Sequence, residues 1–243
     1  MTNEIKKNIF PFYKKLLEEN SFKDICTFSF QWGQNYSFDQ KSGLLFVGKA
    51  VNGWITNETD VTRLFDTENP ERIFARQDQM EWVNNLSGNT EGYNTRKSAF
   101  WRLIKKVSET YYPEEWYSKI AWTNLYKVAP WKGGNPNGKL QNIQRKYCFD
   151  ILKKEIEILS PKYVVFLTSG WEWSFMKHLN GSENLNIIDE KTWGKYKTIL
   201  TEIDGISFII SHHPQGKNEW NHRNAIVELI NENKTRKANK SYT

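Results

Sequence analysis

Four short apolar runs, separated by helical patterns, organise this chain. Leu44 to Val47 is four consecutive apolar residues stopped by Gly48. It is too short for a helix and suits a strand buried on both faces of a parallel sheet. Ile120 to Leu125 (IAWTNL), Tyr163 to Leu167 (YVVFL) and Ile206 to Ser211 (ISFIIS) are the second, third and fourth such runs. Phe100, Leu103, Ile104 and Val107 fall at i, i+3, i+4 and i+7, which predicts a helix over Ser98 to Glu109. Asn142 to Leu159 predicts another, with Cys148, Leu152, Ile156 and Leu159 on one face and Ser160-Pro161 as its stop. Trp171 to Leu179 follows the third run and His222 to Asn233 the fourth. Glu4 to Glu19 precedes the first, with Pro11 expected near its first turn. Strand, crossover helix, strand is thus repeated, the pattern of a parallel sheet with helices on both faces.

The remaining segments read as polar or irregular. Ser21 to Ser42 is irregular with room for a short edge strand. Asn57 to Arg96 is long and polar, a lid with short helices or an insertion. Ala129 to Gly138 (APWKGGNPNG) is a loop. Lys234 to Thr243 carries four basic residues and no acid, and reads as a disordered tail. Residues 1–233 are expected to form one domain.

Composition changes this picture in three places. The 15% aromatic share, with 11 Trp, 11 Tyr and 14 Phe, allows either core filling or stacking on bases. A net charge of +6 and a pI near 9.1 favour a polyanionic partner. Cys26 and Cys148 are far apart with no metal-type spacing, so neither a disulfide framework nor a bound metal is expected, and a reducing compartment fits. No apolar run reaches membrane length and the first residues lack a secretory apolar core, so the expected location is cytoplasmic, or nuclear where the source has a nucleus.

In open α/β sheets ligands bind beyond the carboxyl ends of the strands. The first run delivers Gly48, Lys49 and Asn52 there, the second Asn124, the third Thr168, Ser169 and Gly170, the fourth His212 and His213. Gly48 and Gly53 let the backbone approach a ligand where a Cβ would clash. A lone Asn or His after a strand also serves as a turn or capping residue, so these positions predict a pocket without naming its ligand.

Several of these segments carry a family resemblance. WTNLYKVAPW (Trp122 to Trp131) resembles the second-strand motif of the uracil-DNA glycosylase superfamily. Cys148 to Gly170 resembles the helix–Pro–strand–Gly segment of its iron–sulfur branch. SHHPQ (Ser211 to Gln215) is similar to its His-Pro-Ser motif, and FVGKAVNGW (Phe46 to Trp54) to its Gly-containing first motif. The resemblance spans roughly Leu44 to Asn233 in the right order. It implies a three-layer α/β/α sandwich with a four-stranded parallel sheet in the order 2-1-3-4, acting on DNA as a monomer without a cofactor. A base is extruded into the pocket and excised by hydrolysis. Asn124 would read the base, since its amide offers a donor beside an acceptor. His213 would stabilise the departing base anion, although a loop-capping role also fits it.

By the same resemblance Asn52 would position water, and Trp54 would stack on the base or pack in the core. Gly48, Lys49, Ser169 and Gly170 would shape the site. Lys217 would press on the DNA backbone, and Trp220 would wedge into the gap or pack at a helix start. The chain also departs from the pattern. Lys49 to Gly53 (KAVNG) lacks the carboxylate that many active members carry after the first-motif glycine, Gln215 replaces the motif's Ser, and only Cys148 matches a cluster ligand. Lys49 has lyase chemistry as an alternative to a phosphate contact. Two rival functions stay open: a catalytically silent binder of a modified base or single-stranded DNA, and a nucleotide-binding enzyme unrelated to DNA.

Overall fold

Helices and strands alternate as the apolar pattern requires, but more strands form than that pattern names. The computed structural model describes residues 2–39, 43–52, 80–84 and 94–240. Among these, the helices are α1 (Thr2–Glu18), α2 (Ala99–Ser108), α3 (Gly138–Leu159), α4 (Trp173–Asn180) and α5 (Glu219–Lys240). The strands are β1 (Ile25–Thr27), β2 (Gln31–Trp32), β3 (Leu44–Gly48), β4 (Ile120–Asn124), β5 (Val128–Pro130), β6 (Tyr163–Leu167), β7 (Ile187–Trp193), β8 (Tyr196–Ile203) and β9 (Ile206–Ser211).

The main sheet has seven strands in the order β2-β4-β3-β6-β9-β8-β7. β3 pairs in parallel with β4 and β6, and β6 with β9. β2 is antiparallel to β4, β8 to β9 and β7 to β8. The expected four-stranded parallel sheet is therefore corrected to a mixed sheet of seven. β7 and β8 escaped notice because β7 is largely exposed and carries charge, so it has no continuous apolar run. Their turns were nevertheless marked. Asp204-Gly205, both with positive φ, joins Ile203 to Ile206 in a two-residue hairpin, and Asp-Gly is a strong signal for that turn. Gly194, also at positive φ, does the same between Trp193 and Tyr196.

Successive side chains of a strand point to opposite faces, and both faces are apolar here. Leu45, Val47, Val164 and Phe166 share a buried cluster with residues of α1, α3 and α4. Leu44, Phe46, Val165 and Leu167 share the other with residues of α2 and α5. Helices thus cover both faces of the sheet.

Three boundaries differ from expectation. α1 begins early enough to hold Pro11 in its interior. α3 starts at Gly138, where the Asn137 side chain accepts the Leu140 amide at 2.9 Å and caps it. The segment expected to be a disordered tail continues α5 through Lys240, because Arg236 pairs with Asp189 at 2.8 Å and Lys237 with Glu202 at 2.5 Å. Most of Asn57 to Arg96 lies outside the described residues. No helix among the described residues is long and apolar enough to cross a membrane.

Candidate functional site

The parallel strands β4, β3, β6 and β9 bring their carboxyl ends to one edge, and a cavity of about 560 Å³ opens there. Gly48 and Asn124 are register partners at the ends of β3 and β4. A Cβ at position 48 would collide with the Asn124 Oδ1 and come within 3.2 Å of the Phe100 ring. The missing side chain at 48 thus makes room for the carboxamide at 124. Asn124 is 1% exposed, and its Nδ2 has no hydrogen-bond partner among the described residues. An orphaned buried donor costs about 1–3 kcal/mol, and Asn124 is one of the residues that line the cavity.

Asn124 is held from below by a buried ionic cluster. The Lys127 ammonium donates to the Asn124 carbonyl at 2.6 Å, to Thr123 Oγ1 at 2.8 Å and to Glu155 Oε2 at 2.6 Å. Thr123 and Tyr13 also donate to the Glu155 carboxylate, at 2.7 and 3.0 Å. Gln144 accepts the amides of Lys127 and Val128 and donates to the Val128 carbonyl. Lys127 and Glu155 are both fully buried, and a buried charge pair of this kind stands only when its remaining donors and acceptors are met. Neither residue was singled out from sequence. A lysine set in the apolar stretch LYKVA was the available signal.

His213 follows β9. Its backbone N–H donates to Ser169 Oγ at 2.7 Å, and its ring lies nearly parallel to Phe100, 14° apart with centroids at 6.1 Å. Burial, reinforced by the nearby ammonium groups of Lys49 and Lys217, lowers its pKa to about 4. The imidazole is therefore neutral at physiological pH. Its Nδ1 accepts the Gln215 amide at 3.4 Å, which leaves the proton on Nε2. His213 is thus a neutral hydrogen-bond donor.

Ser169 and Gly170 stand behind this histidine rather than in the cavity wall. Both have positive φ, 55° and 92°. The turn is held by Glu172, a buried carboxylate that accepts from the Gly170 amide at 2.9 Å and from the Thr168 hydroxyl. Burial raises its pKa, against hydrogen bonds and the Lys49 charge that lower it. Sequence reading stopped at Gly170 and missed Glu172.

Lys49 and Asn52 line the cavity. The Lys49 ammonium lies 4.9 Å over the Trp171 ring, and burial and Lys217 lower its pKa. The Asn52 Oδ1 accepts the Gly134 amide at 2.6 Å and so clips the loop after β5 to the loop after β3. Lys217 and Trp220 are outside the wall. Lys217 lies 5.0 Å over the Tyr196 ring, and Trp220 is 62% exposed at the start of α5. Trp54 lies outside the described residues.

The rest of the wall is aromatic and cationic. Trp82, Phe100, Trp101 and Trp122 contribute rings, Lys97 and Arg102 contribute charge, and no carboxylate appears among the described lining residues. Phe100 reads in sequence as one more apolar position of a helix stripe, yet it is only half-buried and faces the cavity. Cys26 and Cys148 are buried free thiols, and burial pushes Cys148 up to about 12. No group of three or more metal-ligating side chains occurs among the described residues. What the arrangement offers is a cavity lined by aromatic rings set edge-on or tilted to one another, one buried amide, one neutral donor and several cations. No protein-family model matches the chain, and no curated protein matches it.

Proposed function

We propose that this chain is a divergent DNA glycosylase with a three-layer, uracil-DNA glycosylase-like architecture. It flips uracil or a related damaged base out of DNA and excises it by hydrolysis. One observation carries the reading: Asn124, whose amide is unpartnered, and the neutral donor His213 line the same cavity. Asn124 Nδ2 is the donor for O4 of uracil and its Oδ1 the acceptor for N3–H. Phe100 supplies a ring face for the base. The His213 Nε2–H stabilises the charge that develops on the base oxygen as the N-glycosidic bond breaks. That interaction strengthens toward the transition state.

Water activation has little support from the wall. The Asn52 carbonyl is occupied by Gly134, and Glu172 is buried behind Gly170. The chemistry therefore rests on leaving-group stabilisation. Lys97, Arg102 and Lys49 attract the DNA backbone, so affinity falls steeply with salt.

The lack of a lining carboxylate favours a second reading, a catalytically silent binder using the same pocket. A duplex and a single strand, each with one uracil, separate the two. Abasic product that disappears in Asn124→Ala and His213→Ala supports the enzyme, and retention on a gel without product supports the binder. A panel with hypoxanthine, xanthine and mismatched thymine identifies the base.

A further inference from the structure

Lys49 follows Gly48 at the end of β3, and it shares the described cavity wall with two other cations, Lys97 and Arg102. Those two are placed as charges usually are. Arg102 donates to Glu219 and to the Arg96 carbonyl, and Lys97 is exposed to water. Lys49 is half-buried, and its amine makes no hydrogen bond or ion pair among the described residues. It rests 4.9 Å over the Trp171 ring. A ring face holds an ammonium by only about 0.5–1 kcal/mol at such a site, so a side-chain rotation is enough to release it.

The surroundings also favour the neutral amine. Burial and the Lys217 charge lower its pKa, against the Glu172 carboxylate, which raises it. A lysine is a nucleophile only when unprotonated, and desolvation beside a second cation is one way to make it so. No carboxylate among the described lining residues pins the charge in the wall. Lys49 also stands close enough to His213 for its charge to lower the imidazole pKa. The free amine and the donor assigned to the departing base are therefore neighbours.

We propose that Lys49 is the nucleophile of an abasic-site lyase activity that follows release of the base. This rests on the reading of the cavity as a base-excision site, since C1′ is bonded to the base that Asn124 and His213 hold there. The sugar left without its base opens to an aldehyde at C1′. The Lys49 nitrogen adds to that carbon, the aldehyde oxygen leaves as water, and an iminium remains between the nitrogen and C1′. The iminium draws electrons from C2′. Water takes a C2′ proton, and the 3′-phosphate leaves with the electron pair of its bond to C3′. Hydrolysis of the imine then returns the free amine and an unsaturated aldehyde on the cut strand. No oxidant or reductant is consumed.

The test uses the full chain and a duplex with one preformed abasic site, so it does not depend on which base is excised. Borohydride present during the incubation reduces the imine to a stable amine and joins protein to DNA. We expect a covalent adduct on a denaturing gel, and mass spectrometry of its peptides places the modification on Lys49. Without borohydride the strand is cut on the 3′ side of the abasic sugar. A tetrahydrofuran in place of that sugar has no aldehyde and gives neither adduct nor cut. Lys49→Arg keeps the charge but has no primary amine to condense, so adduct and cleavage fall about tenfold or more while DNA binding is retained.

No adduct on the parent chain overturns the proposal. So does an adduct mapped to another amine that persists undiminished in Lys49→Arg. The mapping on the parent chain decides the matter even where the variant fails to fold. Abasic product from uracil-containing DNA with no adduct defeats the lyase alone. An adduct at Lys49 without any excision of uracil supports the lyase and defeats the uracil reading.

Discussion

Asn124 sits directly across β3 and β4 from Gly48, and its carboxamide oxygen fills the volume that a side chain at 48 would need. The pair locks backbone to site, because any side chain at 48 would displace the Asn124 carboxamide. Gly48→Ala forces a methyl group against Asn124 and Phe100. We expect a loss of about 1–3 kcal/mol in stability from the overpacking and at least a tenfold loss of base affinity. Urea unfolding and nucleoside titration measure the two. In Gly48→Ala/Asn124→Ala the stability loss is smaller than the sum of the single losses, since the methyl group then has room.

His213 predicts a pH profile. Its folded-state pKa is lowered from 6.5 to about 4, and that of His222 to about 3, both chiefly by burial. The unfolded chain takes up these protons near 6.5 while the folded chain refuses them. Stability is therefore present above about pH 6.5 and is lost as pH falls toward 4. The midpoint of urea unfolding drops across this window, and His222→Phe flattens the drop. If the proposed excision uses neutral His213, its rate shows no inflection near 6.5 on a pH–rate profile. A clear inflection there would exclude His213 as the neutral donor.

The ion pair beneath Asn124 predicts a second coupling. Lys127→Met leaves the Glu155 carboxylate buried with only Thr123 and Tyr13 as donors. Breaking one side of such a pair costs about 3–5 kcal/mol, and it also releases the Asn124 carbonyl that Lys127 holds at 2.6 Å. Lys127→Met/Glu155→Leu recovers part of the loss, because no uncompensated charge remains. A double-mutant cycle by denaturant unfolding measures the coupling, and additive losses would contradict it.

The four apolar runs are the four mutually parallel strands at the middle of the sheet, because a strand covered on both faces is apolar at most of its positions. β7 and β8 were not legible by that rule, since a strand with a wet face mixes charge into its pattern, and only the Asp204-Gly205 turn announced them. In the site, Gly48, Asn124 and His213 could be named from their places at strand ends. Phe100 could not, because an apolar residue on a helix stripe looks the same whether it meets the core or a cavity. Lys127 pairs with Glu155 and Ser169 with His213 across long stretches of chain. No local pattern encodes such partners.

Glu172 supplies the remaining prediction. Its carboxylate accepts from the Gly170 amide and the Thr168 hydroxyl, fixing a turn in which Ser169 is held at a φ of 55°. That left-handed conformation is unfavourable for a residue with a Cβ, and the Ser169 hydroxyl then accepts the His213 amide at 2.7 Å. Glu172 therefore positions His213 through Ser169 and also faces the Lys49 charge. Glu172→Ala removes the one oxygen that both the Gly170 amide and the Thr168 hydroxyl use. We expect a stability loss of about 1–2 kcal/mol and a fall in kcat with KM little changed, because the donor is misplaced in the transition state more than the base is lost from the pocket. Ser169→Ala removes the same link at its other end, so combining the two adds little to either alone. Independent, multiplying effects on kcat would break the chain from Glu172 to His213.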